Sequence, residues 1–121
     1  MDFSSVQRKV VIVTGASRGI GRAIAEVFGE HGMKVVCAAR SQEQGQAAAD
    51  AIKALVDAAV SHYGQLDGVV SNAGIGMGGT PLHEYGLDEY DKIFNLNSKG
   101  VFAGMKYGAE AIFKTRSQGG F

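Results

Sequence analysis

The stretch that decides the fold is Val10-Val11-Ile12-Val13-Thr14-Gly15-Ala16-Ser17-Arg18-Gly19-Ile20-Gly21. Its opening run is continuous, apolar and rich in β-branched residues. Such a run, closed by a turn signal, reads as a strand buried on both faces. Glycines follow at once. Beyond them Ile20, Ala23, Ile24, Val27 and Phe28 recur at helical spacing, with Arg22, Glu26 and Glu30 off the stripe, the pattern of an amphipathic helix. Gly32 is placed to end that helix in a left-handed conformation. Lys34 to Ala39 reads as a second strand. Strand, glycine turn, helix and strand make one βαβ unit.

The glycine turn predicts a binding place. The first amides of a helix lack internal partners and carry the positive end of its dipole, so they hold phosphate. Gly15 permits the sharp turn, Gly19 lets backbone approach a pyrophosphate, and Gly21 allows close helix–strand packing. A glycine triplet alone also fits a plain strand-to-helix turn. The surrounding βαβ unit is what makes the dinucleotide reading specific.

Outward from this unit, Ser41-Gln42-Glu43-Gln44 has the form of a capping box. Ala48, Ala51, Ile52, Leu55, Val56, Ala59, Val60 and Tyr63 then keep one apolar stripe, which predicts a single helix from Ser41 to about Tyr63. Leu66 to Ser71 reads as a third strand, with Asn72-Ala73-Gly74 at its carboxyl end and a glycine-rich loop over Ile75 to Thr80. A long last helix is predicted from Leu87, with Asp88, Glu89 and Asp91 near its positive start. Its predicted core stripe is Tyr90, Ile93, Phe94, Asn97, Val101, Met105, Ala109, Ile112 and Phe113. Gly100, Gly104 and Gly108 recur every four residues and leave one face nearly smooth. The tail from Ser117 reads as a loop.

Composition narrows the function. Of 121 residues, 45% are apolar and 20% charged, the profile of one globular domain. Twelve basic residues balance twelve acidic ones, so no nucleic-acid-binding stripe or acidic tail is indicated. No apolar run approaches the ~20 residues of a membrane span, and Met1 to Lys9 has no signal-peptide core. The lone Cys37 fits a reducing compartment, and a cytoplasmic address is expected. His31, His62 and His83 lie in separate segments without ligand spacing, so no metal site is expected. Gly21-Arg22-Ala23 lacks the Gly-Lys-Ser/Thr of a P-loop. A flavodoxin-like protein remains the rival at the level of fold.

Three motifs in order carry a family resemblance. Thr14-Gly15-x-x-x-Gly19-x-Gly21 resembles the cofactor motif of short-chain dehydrogenases/reductases. Ser71-Asn72-Ala73-Gly74 is similar to that family's Asn-Asn-Ala-Gly motif, with Ser in place of the first Asn. Asn97-Ser98-Lys99-Gly100 resembles its Asn-x-x-Gly motif. The resemblance runs from about Lys9 to Phe121. It implies that Thr14, Gly15, Ser17, Arg18, Gly19, Ile20 and Gly21 line the pyrophosphate and neighbouring ribose. It places Asn72, Ala73 and Gly74 beside the cofactor's sugars, where they also brace the sheet. It makes Asn97 the catalytic asparagine that holds a relay water and fixes a helix bend. Read without the resemblance, Asn97 is equally a core amide satisfied by backbone groups.

The end of the second strand, Ala38-Ala39-Arg40-Ser41, has no carboxylate for a ribose 2′-hydroxyl. Arg40 and Arg18 suit a 2′-phosphate, so NADP(H) is expected over NAD(H). The alternative is that Arg40 is a solvated loop charge.

The resemblance also implies what this sequence lacks. The family's catalytic serine and Tyr-x-x-x-Lys motif have no counterpart here. Tyr63, Tyr85, Tyr90 and Tyr107 are followed four residues on by Asp67, Glu89, Phe94 and Ala111. Between Arg40 and Val69 the family has two helices and a strand, where this chain has one predicted helix. The expectation is therefore a Rossmann-like three-layer α/β/α domain over residues 1–121, with a truncated parallel sheet of about three strands. In the family's strand numbering its order is 2-1-4, with the third and later strands missing. Such a domain would bind cofactor but not turn over alone. It would associate, with itself or a full-length partner, through an exposed Val69-Val70 edge and the Asn97–Phe113 helix, whose glycine face would lack cover.

Overall fold

The computed structural model describes residues 4–17, 19–38, 45–74 and 79–115. Strand β1 (Val10–Thr14) leads through the glycine turn into helix α1 (Gly19–Glu30) and strand β2 (Lys34–Ala38). Helix α2 (Gly45–Tyr63) returns the chain to strand β3 (Gly68–Val70). A 3₁₀ turn (Leu82–Glu84) precedes helix α3 (Leu87–Phe94), a π-helical turn (Asn95–Lys99) and helix α4 (Gly100–Lys114). The capping box at 41–44 and the tail from 117 lie outside the described residues, as do 75–78 of the loop.

All strands are parallel in the order β2-β1-β3, the order read from the sequence. Ile12 stands between Val36 on one side and Val69 on the other. Every residue of β1 is buried, as its unbroken apolar run demands. Successive side chains in a strand alternate between faces. Val10 and Ile12 point into the main core with Val56, Ala59, Leu66, Val69, Ala111 and Ile112, so α2 and α4 share that face. Val11 and Val13 therefore point the other way, where α1 packs against β1 and β2. The result is three layers. The outer strands are less covered: Cys37 on β2 is exposed. Gly32 and Gly64, both at positive φ, end α1 and α2.

The root of the sheet is fastened by a buried carboxylate. The Val10 amide donates to Asp67 Oδ2 at 2.7 Å, and the Asp67 amide donates back to the Val10 carbonyl at 2.8 Å. Gln65 Nε2 donates to the same Oδ2 at 2.7 Å, and Lys9 Nζ stands 3.8 Å from Oδ1. Nearby, the Thr115 hydroxyl accepts the Leu66 amide at 3.4 Å and donates to the Ala111 carbonyl at 2.9 Å. The end of α4 is thus tied to the entry of β3. On the outer surfaces of α2 and α4, hydrogen-bonded Asp57 holds the Lys53 ammonium above its ordinary pKa. Lys114 in the same way holds the Glu110 carboxyl below its own. Such exposed pairs add little stability.

The last helix departs from expectation twice. First, it is not one regular helix: a π turn separates α3 from α4, although the backbone stays helical through Phe94, Asn95, Lys99 and Gly100. Second, its inward face is the small one. Ala103, Gly104, Gly108, Ala111 and Ile112 are buried, so the glycine face expected to lack cover is the packed one. A Cβ on Gly104 would stand 3.0 Å from the Ser71 hydroxyl and 3.7 Å from Val69 Cγ1. Close approach of helix to sheet favoured small residues there and turned larger ones outward. Tyr90, Phe94, Phe102, Met105 and Phe113 are all exposed. Among the described residues no strand pairs with the outer side of β3, and the Val69 side chain is buried.

Candidate cofactor site

The site forms where β1 ends beside β3. Thr14 is buried, and its hydroxyl accepts the amides of Asn72 and Ala73, each at 3.1 Å. The same hydroxyl donates to the Val70 carbonyl at 3.4 Å. Its hydroxyl thus holds two backbone segments of the site together. Thr14→Val should leave two amides without their acceptor and cost about 2 kcal/mol in urea unfolding, with Thr14→Ser costing less. Equal stability of all three proteins would contradict this role.

Past Thr14 the chain turns at Gly15, with φ of 65°. Its carbonyl accepts the Asn72 side-chain amide at 3.2 Å. A Cβ on Gly15 would meet Ala73 Cα and Asn72 Nδ2 at 3.0 Å. Gly21, buried in the first turn of α1, lies tighter still: a Cβ there would run into the Gly15 carbonyl and Asn72 Nδ2. The Ala16 amide ties the turn to the end of β2 through the Ala38 carbonyl at 3.0 Å.

Gly19 is the contrary case. Its φ is 64°, and an added Cβ would meet none of the described residues within 4 Å. Gly15 and Gly21 are therefore glycines because protein crowds them. Gly19 is crowded by none of the described residues and opens α1, with Ser17 and Ile20 exposed beside it. A turn clamped from within and bared without is what a diphosphate requires. The residues present therefore fit the dinucleotide that the motif implies.

On the β3 side, Ala73 is half-buried and Gly74 exposed. Asn97 sits within the π turn, and its Oδ1 would lie 3.2 Å from a Cβ on Gly74. Asn97 is exposed, so the core-amide reading does not describe it. π turns recur at functional sites and bend helices. The structure thus brings Thr14, Gly15, Gly21, Asn72 and Ala73 together and sets Gly74 against Asn97. Arg18 and Arg40 lie outside the described residues. Sequence reasoning passed over Asp67, although an acid at the head of an apolar run is itself the signal of a buried, partnered carboxylate. Among the described residues there is no acid, His or Cys cluster suited to a metal, and no helix long and apolar enough to cross a membrane.

A parallel sheet covered on both faces, with its central strand feeding a clamped glycine turn, defines a dinucleotide-binding protein of the Rossmann-like class. Comparison with known proteins narrows this. A family model described as short chain dehydrogenase matches residues 9–55 and 46–120. Glucose 1-dehydrogenase 2 of Bacillus subtilis is 33% identical over 138 residues, covering 97% of this chain and 54% of its own. A versicolorin reductase of Emericella nidulans is 40% identical over 115 residues, covering 78% and 43%. The ligand-free aldohexose dehydrogenase of Thermoplasma acidophilum superposes with a TM-score of 0.80 at 31% identity, covering 93% of this chain and 48% of that one. A metagenomic short-chain oxidoreductase in complex with NADP gives 0.72 at 27% identity, covering 94% and 61%. The chain belongs to the short-chain dehydrogenase family.

The chain spans about half the length of the curated relatives it matches. An alignment of 138 residues over 97% of a 121-residue chain holds positions for which this chain has no residue. The two matched stretches overlap within α2, at 46–55. Both observations agree with an internal gap closed by a fused helix.

Proposed function

We propose that residues 1–121 form one incomplete domain, the NADP(H)-binding part of an alcohol or carbonyl oxidoreductase of this family. The pyrophosphate rests against the amides at the mouth of α1. The observation that carries this reading is the contrast at the turn, with Gly15 and Gly21 locked against Asn72 while Gly19 meets none of the described residues. Gly15, Ser17, Arg18, Gly19, Ile20 and Gly21 line the diphosphate and ribose. Thr14 fixes their backbone. Asn72, Ala73 and Gly74 border the sugars. Arg18 and Arg40 receive the 2′-phosphate, which gives NADP(H) its preference over NAD(H). Asn97 positions a water for proton transfer. When bound, the nicotinamide supplies the hydride chemistry. No tyrosine here has a lysine four residues on, so on this reading the chain binds without turnover. Its lone exposed cysteine accords with the cytoplasm.

Titration with NADPH and NADH tests this directly. NADPH should bind more tightly, and Gly19→Val should weaken it by at least about tenfold. Equal affinity of Gly19→Val and the parent for NADPH would remove the turn from the site. Equal or tighter NADH binding would remove the 2′-phosphate assignment.

A second reading is favoured by the exposed apolar residues Leu82, Leu87, Tyr90, Phe94, Phe102 and Phe113. It takes the chain as a non-catalytic module that works by association with a full-length relative. Co-purification with such a relative would support it.

A further inference from the structure

The ladder between β1 and β2 fixes what the other edge of β2 presents. The Lys34 amide donates to the Lys9 carbonyl at 2.8 Å, and the Ala38 carbonyl accepts the Ala16 amide at 3.0 Å. Both groups point toward β1. Peptide groups alternate along a strand, so the amide and carbonyl of Val35 and of Cys37 point away from β1. Among the described residues no strand meets them. The β3 edge differs, because the Val70 carbonyl already accepts the Asn72 amide at 3.0 Å. β2 is also thinly covered. Lys34 and Cys37 are exposed and the rest of the strand is half-buried, where β1 is buried throughout. Parallel strands ordinarily lie covered on both faces.

An open edge of this kind takes a strand, and a second β2 is a strand that fits it. Turned antiparallel about Val36, it sets Val35 opposite Cys37 on both sides of the axis. Every outward group of both copies then has a partner. Lys34 falls opposite Ala38, so the two ammonium groups stand roughly 13 Å apart along the ladder, beyond the Debye length. A register slipped toward Met33 is poorer, because the Met33 amide already donates to the Phe28 carbonyl at 3.1 Å. The helices agree with this arrangement. α1 lies over β1 and β2. With strands roughly 4.8 Å apart, the two copies of α1 come to roughly 10 Å from each other, the distance at which helices pack. Cys37, which pairs with Val13 and shares its face, is covered between them.

We infer that β2 pairs antiparallel with β2 of a second copy, joining two three-stranded sheets into one continuous sheet with a two-fold axis beside Val36. The contact is self-complementary, so it stops at two copies. Pairing of the β2 edge with a β3 edge would run head to tail and would grow without closing. The interface is small, a strand edge and one helix flank from each copy, and belongs among the weaker specific contacts. It uses no residue of the glycine turn and does not rest on the cofactor reading.

A pair of thiols reads the register. Val35 faces Cys37 of the second copy at roughly 5.5 Å between Cα atoms, within reach of a disulfide, whereas the two Cys37 residues stand on a diagonal and out of reach. V35C should therefore form a disulfide-linked dimer under mild oxidation. The parent should not, and neither should V35C in a Cys37→Ser background. By sedimentation the parent should dimerise with a dissociation constant on the order of tens of micromolar. Cys37→Pro removes an outward amide and leaves the β1 ladder intact. It should raise that constant by at least about tenfold with an unchanged circular dichroism spectrum. If Cys37→Pro does not fold, the thiol pair decides alone. A monomeric parent overturns the proposal, as does one that grows past two copies. So does a dimer that V35C fails to trap, or that V35C traps equally without Cys37, or that a folded Cys37→Pro leaves intact.

Discussion

Gly21→Val is expected to unfold this chain in large part. A Cβ at that position drives into the Gly15 carbonyl and the Asn72 amide. Neither can step aside cheaply. The carbonyl belongs to a turn held at both ends, and the amide is its hydrogen-bond partner. Relief requires α1 to lift from β1, which uncovers Val11 and Val13. Overpacking against backbone at a buried contact costs about 3 kcal/mol or more. For a domain of this size that lowers the melting temperature by roughly 10 °C. Thermal unfolding by circular dichroism measures it. Gly19→Val is the contrasting control, because its Cβ meets none of the described residues and it bears the strain of a positive φ, about 1 kcal/mol. A melt in which Gly21→Val matches the parent would contradict the placement of α1 on the sheet.

Asp67→Ala is expected to cost a comparable amount for a different reason. The carboxylate receives the Val10 amide and the Gln65 side chain while Lys9 stands beside it. Its truncation leaves the Val10 amide buried without an acceptor at the first rung between β1 and β3. Removing one partner of a buried charged hydrogen bond costs about 3 kcal/mol. Asp67→Asn keeps one acceptor oxygen and should fall between the two. Urea unfolding orders the three proteins. If Asp67→Ala is as stable as the parent, the carboxylate does not fasten the sheet.

The inner part of the molecule was legible in the sequence because its signals are local. Val10 to Val13 had to be a doubly buried strand. The glycines after it had to turn, and the stripe from Ile20 to Phe28 had to be a helix. The strand order followed from the fused α2. Less legible was the last helix, because periodicity reports that a face is apolar and not which apolar face is inside. Large residues suggested the core, yet the sheet took Gly104 and Gly108 and left Tyr90, Phe94, Met105 and Phe113 outside, while Ile112 went in as expected. Helix–sheet distance decided this, and no single-residue scale contains it. The π turn was hidden for a similar reason: one surplus residue in a helix barely alters a stripe. At the glycine turn, the sequence did not reveal which glycines the fold would crowd. That Thr14 is occupied by Asn72 and Ala73, while Gly19 meets none of the described residues, depends on contacts across more than fifty positions of chain.

The sheet grows from its middle toward its rims. Val11, Ile12 and Val13 of β1 pair with β2 on one side and β3 on the other, and whatever lies farther out hangs on those two alone. A parallel sheet of this kind can shed an outer member without any inner rung being rewritten, provided the connecting helix still reaches the next strand. That tolerance makes the architecture modular at its margins and unforgiving at its axis. An excision of the sort closed by α2 would be fatal between Val10 and Gly21, yet beyond β2 it leaves the glycine turn standing.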